Sequence, residues 1–240
     1  MSTSQFELGP LLHSAQTFGL SEKGLPLEIY NPQTTSSNVL VMGSIHGDES
    51  LSTVLLSESL RSIGEADLRA SVILSANPDG ILAGTRCNAR GVDLNRNYPT
   101  SNWSSDPVYY RNRPEDPQNI ALSPGSEAGS ESETRALIEL ITTHRPDLIV
   151  SIHGFLGCID DPDASWVAQD IAKRTSLELV PDVGYKTPGS FGSWCLEQAI
   201  PIITYELPSQ GIVDMKQIHL PVLKDLLTGY YDKNLIRAEK

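Results

Sequence analysis

A histidine and two acids crowd into the stretch Asn38–Ser50, NVLVMGSIHGDES, at His46, Asp48 and Glu49. An imidazole and a carboxylate three residues apart, where a strand gives way to a helix, can turn towards one point, which suits two ligands of one zinc ion. Alone, the His46–Glu49 pair says little, since such spacing arises by chance and usually marks a solvated loop. Two further polar residues occupy comparable places. His153 follows the apolar run Leu148-Ile149-Val150-Ser151-Ile152, and Glu206 follows Pro201-Ile202-Ile203-Thr204-Tyr205. Two neutral imidazoles and one carboxylate leave zinc an open position for water, the layout of a hydrolytic site. Glu206 is then the candidate general base and acid, because a partly desolvated carboxylate beside a metal can accept a proton and pass it on. The competing reading of Glu206 is a structural acid paired with an arginine. Only the His46–Glu49 spacing assigns Glu49 to the metal and Glu206 to the proton.

These residues meet only if the chain brings several strand ends together. Val39-Leu40-Val41-Met42, bounded by Asn38 and Gly43, reads as a buried strand, and residues 50–63 take up a helical pattern. Ser71-Val72-Ile73-Leu74 is a second such strand, followed by Asn77-Pro78-Asp79-Gly80, ordinary turn chemistry. Ser130 and Glu133 have capping-box spacing ahead of a helix to about His144, with Ala136, Leu137, Leu140 and Ile141 on one face. A strand from Asp147 to Ile152 stops at His153-Gly154. A helix over 164–176, a Gly/Pro-rich loop over 181–192, a short helix over 193–199, the strand before Glu206 and an amphipathic helix over 215–236 complete the chain. Residues 1–37 read as an irregular arm plus a hairpin of edge strands. Strands alternating with helices predict an α/β fold with a mixed, largely parallel, twisted central sheet and helices on both faces, in one domain over residues 1–240. In such sheets ligands collect beyond the carboxyl ends of the strands, where His46 with Glu49, His153 and Glu206 all fall.

Hydrolysis of an amide also requires a cation against the developing oxyanion. The long stretch from Gly84 to about Gly129 supplies Arg86, Arg90 and Arg96, and loops of that length inside a compact domain are usually functional. Asn95 beside Arg96 can clamp a carboxylate in a bidentate manner, whereas Arg90 reads as solvated.

The formal net charge of −12 over 240 residues argues against nucleic acid or anionic membranes as partners. No basic n-region with an apolar h-region opens the chain, and no window is apolar enough to span a bilayer. Cys87, Cys158 and Cys195 are widely spaced, with no C-x-x-C pair, and read as free thiols in a reducing cytoplasm. The chain is expected to act as a monomer or homodimer.

The motifs together resemble the zinc carboxypeptidases of the metallocarboxypeptidase A type. His46-x-x-Glu49, Asn77-Pro78-Asp79-Gly80, Gly91-Val92-Asp93-Leu94-Asn95-Arg96-Asn97, Ser151-Ile152-His153 and Tyr205-Glu206 follow that family's order over most of the chain. The resemblance implies one zinc ion held by His46, Glu49 and His153, with Glu206 as general acid/base. It implies that Asn95 and Arg96 grip the free carboxylate of the substrate and that Arg86 polarises the scissile carbonyl. The family's mobile capping tyrosine falls at Tyr185, with Tyr109 and Tyr110 as alternatives able to reach a cleft. Two departures stand out. Asp48 replaces an arginine of the digestive members and is expected to hold an ammonium group instead. Gly192 occupies the specificity position, leaving an open pocket suited to a long polar side chain. Within the family, the short length and the His46-Gly47-Asp48-Glu49 form are most similar to bacterial cell-wall recycling enzymes. The implied substrate is the murein tripeptide, cut at its γ-D-glutamyl–meso-diaminopimelate bond. The alternative enzyme is an N-acyl amino acid deacylase resembling succinylglutamate desuccinylase or aspartoacylase. A zinc-stabilised binding module without turnover is the reading from another class.

Overall fold

The computed structural model describes residues 9–33, 38–111 and 119–232. In chain order, strands β1 (Ala15–Leu20), β2 (Pro26–Tyr30) and β3 (Val39–Gly43) precede helix α1 (Leu51–Arg61), strand β4 (Ser71–Ile73) and helix α2 (Pro78–Ala83). A short hairpin, β5 (Val108–Arg111) and β6 (Asn119–Leu122), leads to α3 (Ser132–His144), β7 (Leu148–Phe155) and β8 (Cys158–Asp160). The chain closes with α4 (Trp166–Thr175), β9 (Glu178–Val180), α5 (Phe191–Glu197), β10 (Ile202–Pro208) and α6 (Ile212–Leu227). The eight strands of the main sheet run in the order β1-β2-β4-β3-β7-β10-β8-β9. Its centre, β4-β3-β7-β10, is parallel, while β2 against β4 and β8 against β10 are antiparallel. The mixed, largely parallel sheet expected from the sequence is present.

All five residues of β3 are buried because helices cover both of its faces. Alternation along the strand divides them. Val39 and Val41 join a core with Leu55, Leu56 and Leu60 of α1, Ile171 of α4 and Leu223 of α6. Leu40 and Met42 face a second core with Leu137, Leu140 and Ile141 of α3 and Phe191 and Trp194 of α5. The chain leaves β3 for β4 on one side and returns to β7 on the other, which makes the end of β3 the switch point of the sheet.

Several boundaries differ from the sequence reading. The strand expected to stop at His153 continues to Phe155, and the strand expected to end before Glu206 continues to Pro208. The parallel pairing of β7 and β10 extends that far, with Glu206 opposite His153, Leu207 opposite Gly154 and Pro208 opposite Phe155. Ser130 does not cap α3. Glu131 holds the N-cap position without a side-chain cap, while the Ser130 hydroxyl donates to Glu131 Oε1 (2.6 Å). The Asn-Pro-Asp-Gly segment opens α2 rather than forming an isolated turn, because Asn77 Oδ1 accepts from Gly80 N–H (2.9 Å). Strands β8 and β9, three residues each, are too short to show a periodicity. The last helix ends at Leu227 with Thr228 as its C-cap, short of the expected Ile236, and the first eight residues of the N-terminal arm lie outside the described residues. No helix among the described residues is long and apolar enough to cross a membrane.

Beneath the sheet, Tyr205 Oη lies 2.5 Å from Nδ1 of the buried His219 on α6. Burial pushes the His219 pKa down to about 4. The unfolded chain therefore binds a proton that the folded chain refuses between about pH 6.5 and 4, and stability falls as pH drops through that window. Urea denaturation at pH 7 and pH 5 should show roughly 2 kcal/mol of acid sensitivity from this group. The double variant Tyr205→Phe/His219→Leu, which removes both partners, should lack that share.

Candidate active site

The backbone around the first histidine is fixed by a close approach of two turns. A Cβ on Gly47 would sit 2.1 Å from the Gly80 carbonyl carbon, so only glycine lets the His46–Glu49 turn pack on the start of α2. Asn77 Nδ2 donates to the carbonyls of Ile45 (3.1 Å) and Arg86 (3.3 Å), tying the residue before His46 to the arginine loop. Asp79 accepts from Ser21 Oγ (2.9 Å) and Lys23 N–H (3.0 Å), anchoring the β1–β2 connection to the same corner. The Asn-Pro-Asp-Gly motif thus holds the site up from below.

His46, Glu49 and His153 are all buried, and their donor atoms lie within 4.8 Å of one another. Glu49 is the bridge. Its Oε1 is 2.7 Å from His46 Nδ1, and its Oε2 is 3.1 Å from His153 Nδ1 and accepts from Gly154 N–H (3.2 Å). The far ring nitrogens are occupied elsewhere. His153 Nε2 lies 3.1 Å from Ser151 Oγ, and His46 Nε2 makes a 3.2 Å ion-pair contact with Asp93 Oδ1. Burial opposes charge on Glu49, yet the two histidines overcome it and hold the carboxyl well below its usual range. Burial likewise opposes charge on His46, but Glu49 and Asp93 outweigh it and push its pKa up to about 8. An ionised carboxylate and two imidazoles with Nδ1 turned to one point, each oriented through Nε2, fit a zinc ion with donors at ~2.0–2.2 Å.

Sequence reasoning gave no role to Asp93, although it sits in the quoted Val-Asp-Leu-Asn-Arg motif. It is almost fully buried, accepts from Arg86 Nε (3.1 Å) through Oδ2, and caps the turn Leu94–Arg96 by accepting from Asn95 N–H (3.0 Å). One carboxylate therefore orients His46, Arg86 and the Asn95-Arg96 pair. The signal available was an acid between the apolar Val92 and Leu94, which spacing alone does not separate from a cap.

A cleft of about 660 Å³ opens over the three donors. Arg86, Asn95, Arg96, Tyr185, Gly192 and Glu206 all line it. Arg86 Nη1 donates to Glu49 Oε1 (3.3 Å). Arg96 is 8% exposed, its Nε has no hydrogen-bond partner, and it makes no ion pair among the described residues. Burial lowers its pKa, and a desolvated guanidinium with spare donors is a receptor for a carboxylate. Asn95 accepts from Phe191 N–H (2.8 Å), which leaves its NH₂ group to donate. Glu206 is 8% exposed with Oε2 unpartnered. Burial raises its pKa, opposed by His153 and reinforced by Glu49. No arginine pairs with it among the described residues, so the structural-acid reading loses its partner.

Tyr185 is 57% exposed at the cleft wall, whereas Tyr109 is not part of the lining and the Tyr110 side chain lies outside the described residues. The sequence reading expected Asp48 to hold an ammonium group. Asp48 is not among the residues that line the cleft, although its charge acts on Arg86, which does line it. A Cβ added at Gly192 would meet nothing within 4 Å. Gly192→Leu is therefore expected to fold normally while filling the pocket, cutting kcat/KM for a long polar side chain by roughly 10–100-fold through KM. A kinetic comparison with an alanine-ended peptide, which should lose little, checks this.

Residues 9–159 match the zinc carboxypeptidase family. The chain belongs to that family of zinc-dependent hydrolases of peptide and amide bonds. It is 39% identical over 233 residues to murein peptide amidase A of Escherichia coli (strain K12), covering 96% of each chain. It is 42% identical over 205 residues to murein peptide amidase A of Vibrio campbellii, covering 84% of this chain and 82% of that one. The crystal structure of murein-tripeptide amidase from Escherichia coli O157 matches with a TM-score of 0.88 at 38% identity, over 95% of this chain and 98% of that chain. Carboxypeptidase A from Helicoverpa armigera, at 21% identity and a TM-score of 0.68, shares the fold over 96% of this chain and 70% of its own.

Proposed function

We propose that this chain is a zinc-dependent amidase that hydrolyses the γ-D-glutamyl–meso-diaminopimelate bond of the murein tripeptide, in the cytoplasm during peptidoglycan recycling. One observation carries the reading: His46, Glu49 and His153 converge beside Glu206 in a chain alignable over 96% of its length with murein peptide amidase A.

His46 Nδ1, Glu49 and His153 Nδ1 would hold the zinc. When bound, zinc supplies Lewis acidity and lowers the pKa of water towards about 7. Glu206 takes the proton from the attacking water and returns it to the leaving amine, and its raised pKa favours both halves of that shuttle. Arg96 with Asn95 grips the carboxylate on the α-carbon of diaminopimelate, fixing the scissile amide over Glu206. Arg86, held by Glu49 and Asp93, presents a fixed positive charge to the scissile carbonyl. Tyr185 closes over the bound peptide and excludes bulk water, and Gly192 leaves room for the side chain.

Incubating the protein with L-Ala-γ-D-Glu-meso-diaminopimelate should release free diaminopimelate, in a reaction stopped by a chelator and restored by zinc. Release of acetate from N-acetylaspartate with the tripeptide left intact would instead support the deacylase, which the family match disfavours. Binding of the tripeptide without turnover would support the binding module.

A further inference from the structure

One wall of the cleft is built by sheet register. Strand β10 presents Ile202, Thr204 and Glu206 to the cleft, every second residue of one face. Thr204 is only half-buried, between buried neighbours on both sides, because it borders this space. Directly across the antiparallel pairing from Thr204 stands Asp160, the last residue of β8. Residues directly opposite share a face, so Asp160 belongs to the same wall as Thr204 and Glu206, and it lines the cleft with them.

Asp160 has no hydrogen bond or ion pair through its carboxylate among the described residues, and a second acid of the lining, Asp182, adds negative charge. Burial, then Asp182 and Asp161, push the Asp160 carboxyl up to about 6, opposed by His153. The cleft is thus lined by charges of both signs: Arg96, which makes no ion pair among the described residues, and Asp160, together with Glu206 and its unpartnered Oε2.

We propose that Asp160 is the specificity-determining residue that receives a primary ammonium at the tip of the substrate's long side chain, the role the sequence suggested for Asp48. The proposal rests on the amidase reading above. Asp160 lies diagonally across the β8–β10 pairing from Glu206, a Cα separation of roughly 7–8 Å. A side chain whose nitrogen is five single bonds from the α-carbon extends roughly 6 Å, the reach needed from an amide held over Glu206 with its carboxylate on Arg96. Diaminopimelate has that spacing. Gly192 leaves the path clear, and the Thr204 hydroxyl offers a neutral contact beside the charge.

The test compares two tripeptides, one ending in meso-diaminopimelate and one ending in 2-aminopimelate, which keeps the distal carboxylate but lacks the distal ammonium. Cleavage of the first by the unmodified enzyme tests the amidase reading by itself. Asp160 is tested by the ratio of kcat/KM values for the two peptides. In the unmodified enzyme the ratio should favour diaminopimelate by roughly 10–100-fold, carried mainly by KM. Asp160→Asn should collapse the ratio towards one while leaving cleavage of the 2-aminopimelate peptide unchanged or faster. An unchanged ratio, or an equal loss on both peptides from misfolding or from a general role, overturns the proposal. Asp160→Glu, which keeps the charge, should retain part of the preference; a ratio as low as that of Asp160→Asn also counts against it.

Discussion

Glu206→Gln is expected to lower kcat for the murein tripeptide by about 10³–10⁴-fold, at the upper end of what a positioned general base contributes. The substitution keeps the shape of the side chain and removes only its ability to take and return a proton. KM should move little, because Arg96 and Asn95, the proposed grip on the substrate, make no hydrogen bond to Glu206 among the described residues. Zinc content should stay at one per chain, since His46, Glu49 and His153 are untouched. Stability should hold or rise. A carboxyl whose folded-state pKa is raised by burial opposes folding once the pH exceeds its unfolded value, so a neutral isostere relieves that cost. Product release followed by chromatography, with metal analysis and a thermal melt of the same preparation, reads all four quantities. A melt lowered by several degrees with comparable loss of zinc would make Glu206 a structural acid after all.

How far the site was legible from the sequence depended on what fixed each residue's position. His46 and Glu49 are separated by two residues in a tight turn, so local spacing was enough to pair them. His153 and Glu206 were found because each follows a run of apolar residues that can only be a buried strand. That same logic misplaced them slightly, beyond the strands rather than inside them. Hydrophobicity falls at a polar site residue whether or not the backbone pairing continues, and here it continues for two more residues on each strand. Asp48 and Asp160 show the opposite limit. Asp48 sits between two ligands and looks functional, but it is not among the residues that line the cleft. Asp160 lies in a three-residue strand without a detectable pattern, and only its register with Thr204 brings it to the pocket. Residues placed by local geometry were readable; residues placed by pairing between distant segments required the fold.

Glu49 is where the local and the distant meet, and its removal should have the second large effect. His46 Nδ1, His153 Nδ1, Gly154 N–H and Arg86 Nη1 all approach its two oxygens, at 2.7, 3.1, 3.2 and 3.3 Å. Glutamine keeps one oxygen but turns an NH₂ group towards donors, so at least one pair of contacts becomes repulsive and the site loses its negative charge. Bound zinc stabilises the folded chain by RT ln(1 + [Zn]/Kd), about 4 kcal/mol when free zinc is a thousand times Kd. In Glu49→Gln that zinc-dependent gain should shrink towards zero, and hydrolysis should vanish at micromolar zinc and return only in part at large excess. Chelated protein separates this from folding. Glu49→Ala, which removes the buried carboxylate facing Arg86 and both imidazoles, should cost about 3–5 kcal/mol even without metal, whereas Glu49→Gln should cost less. Unfolding by urea with zinc and with chelator, on the three proteins, gives both differences. A variant lacking the Glu49 carboxylate that still holds one zinc per chain at unchanged affinity would remove this residue from the metal site and pass its role to Glu206.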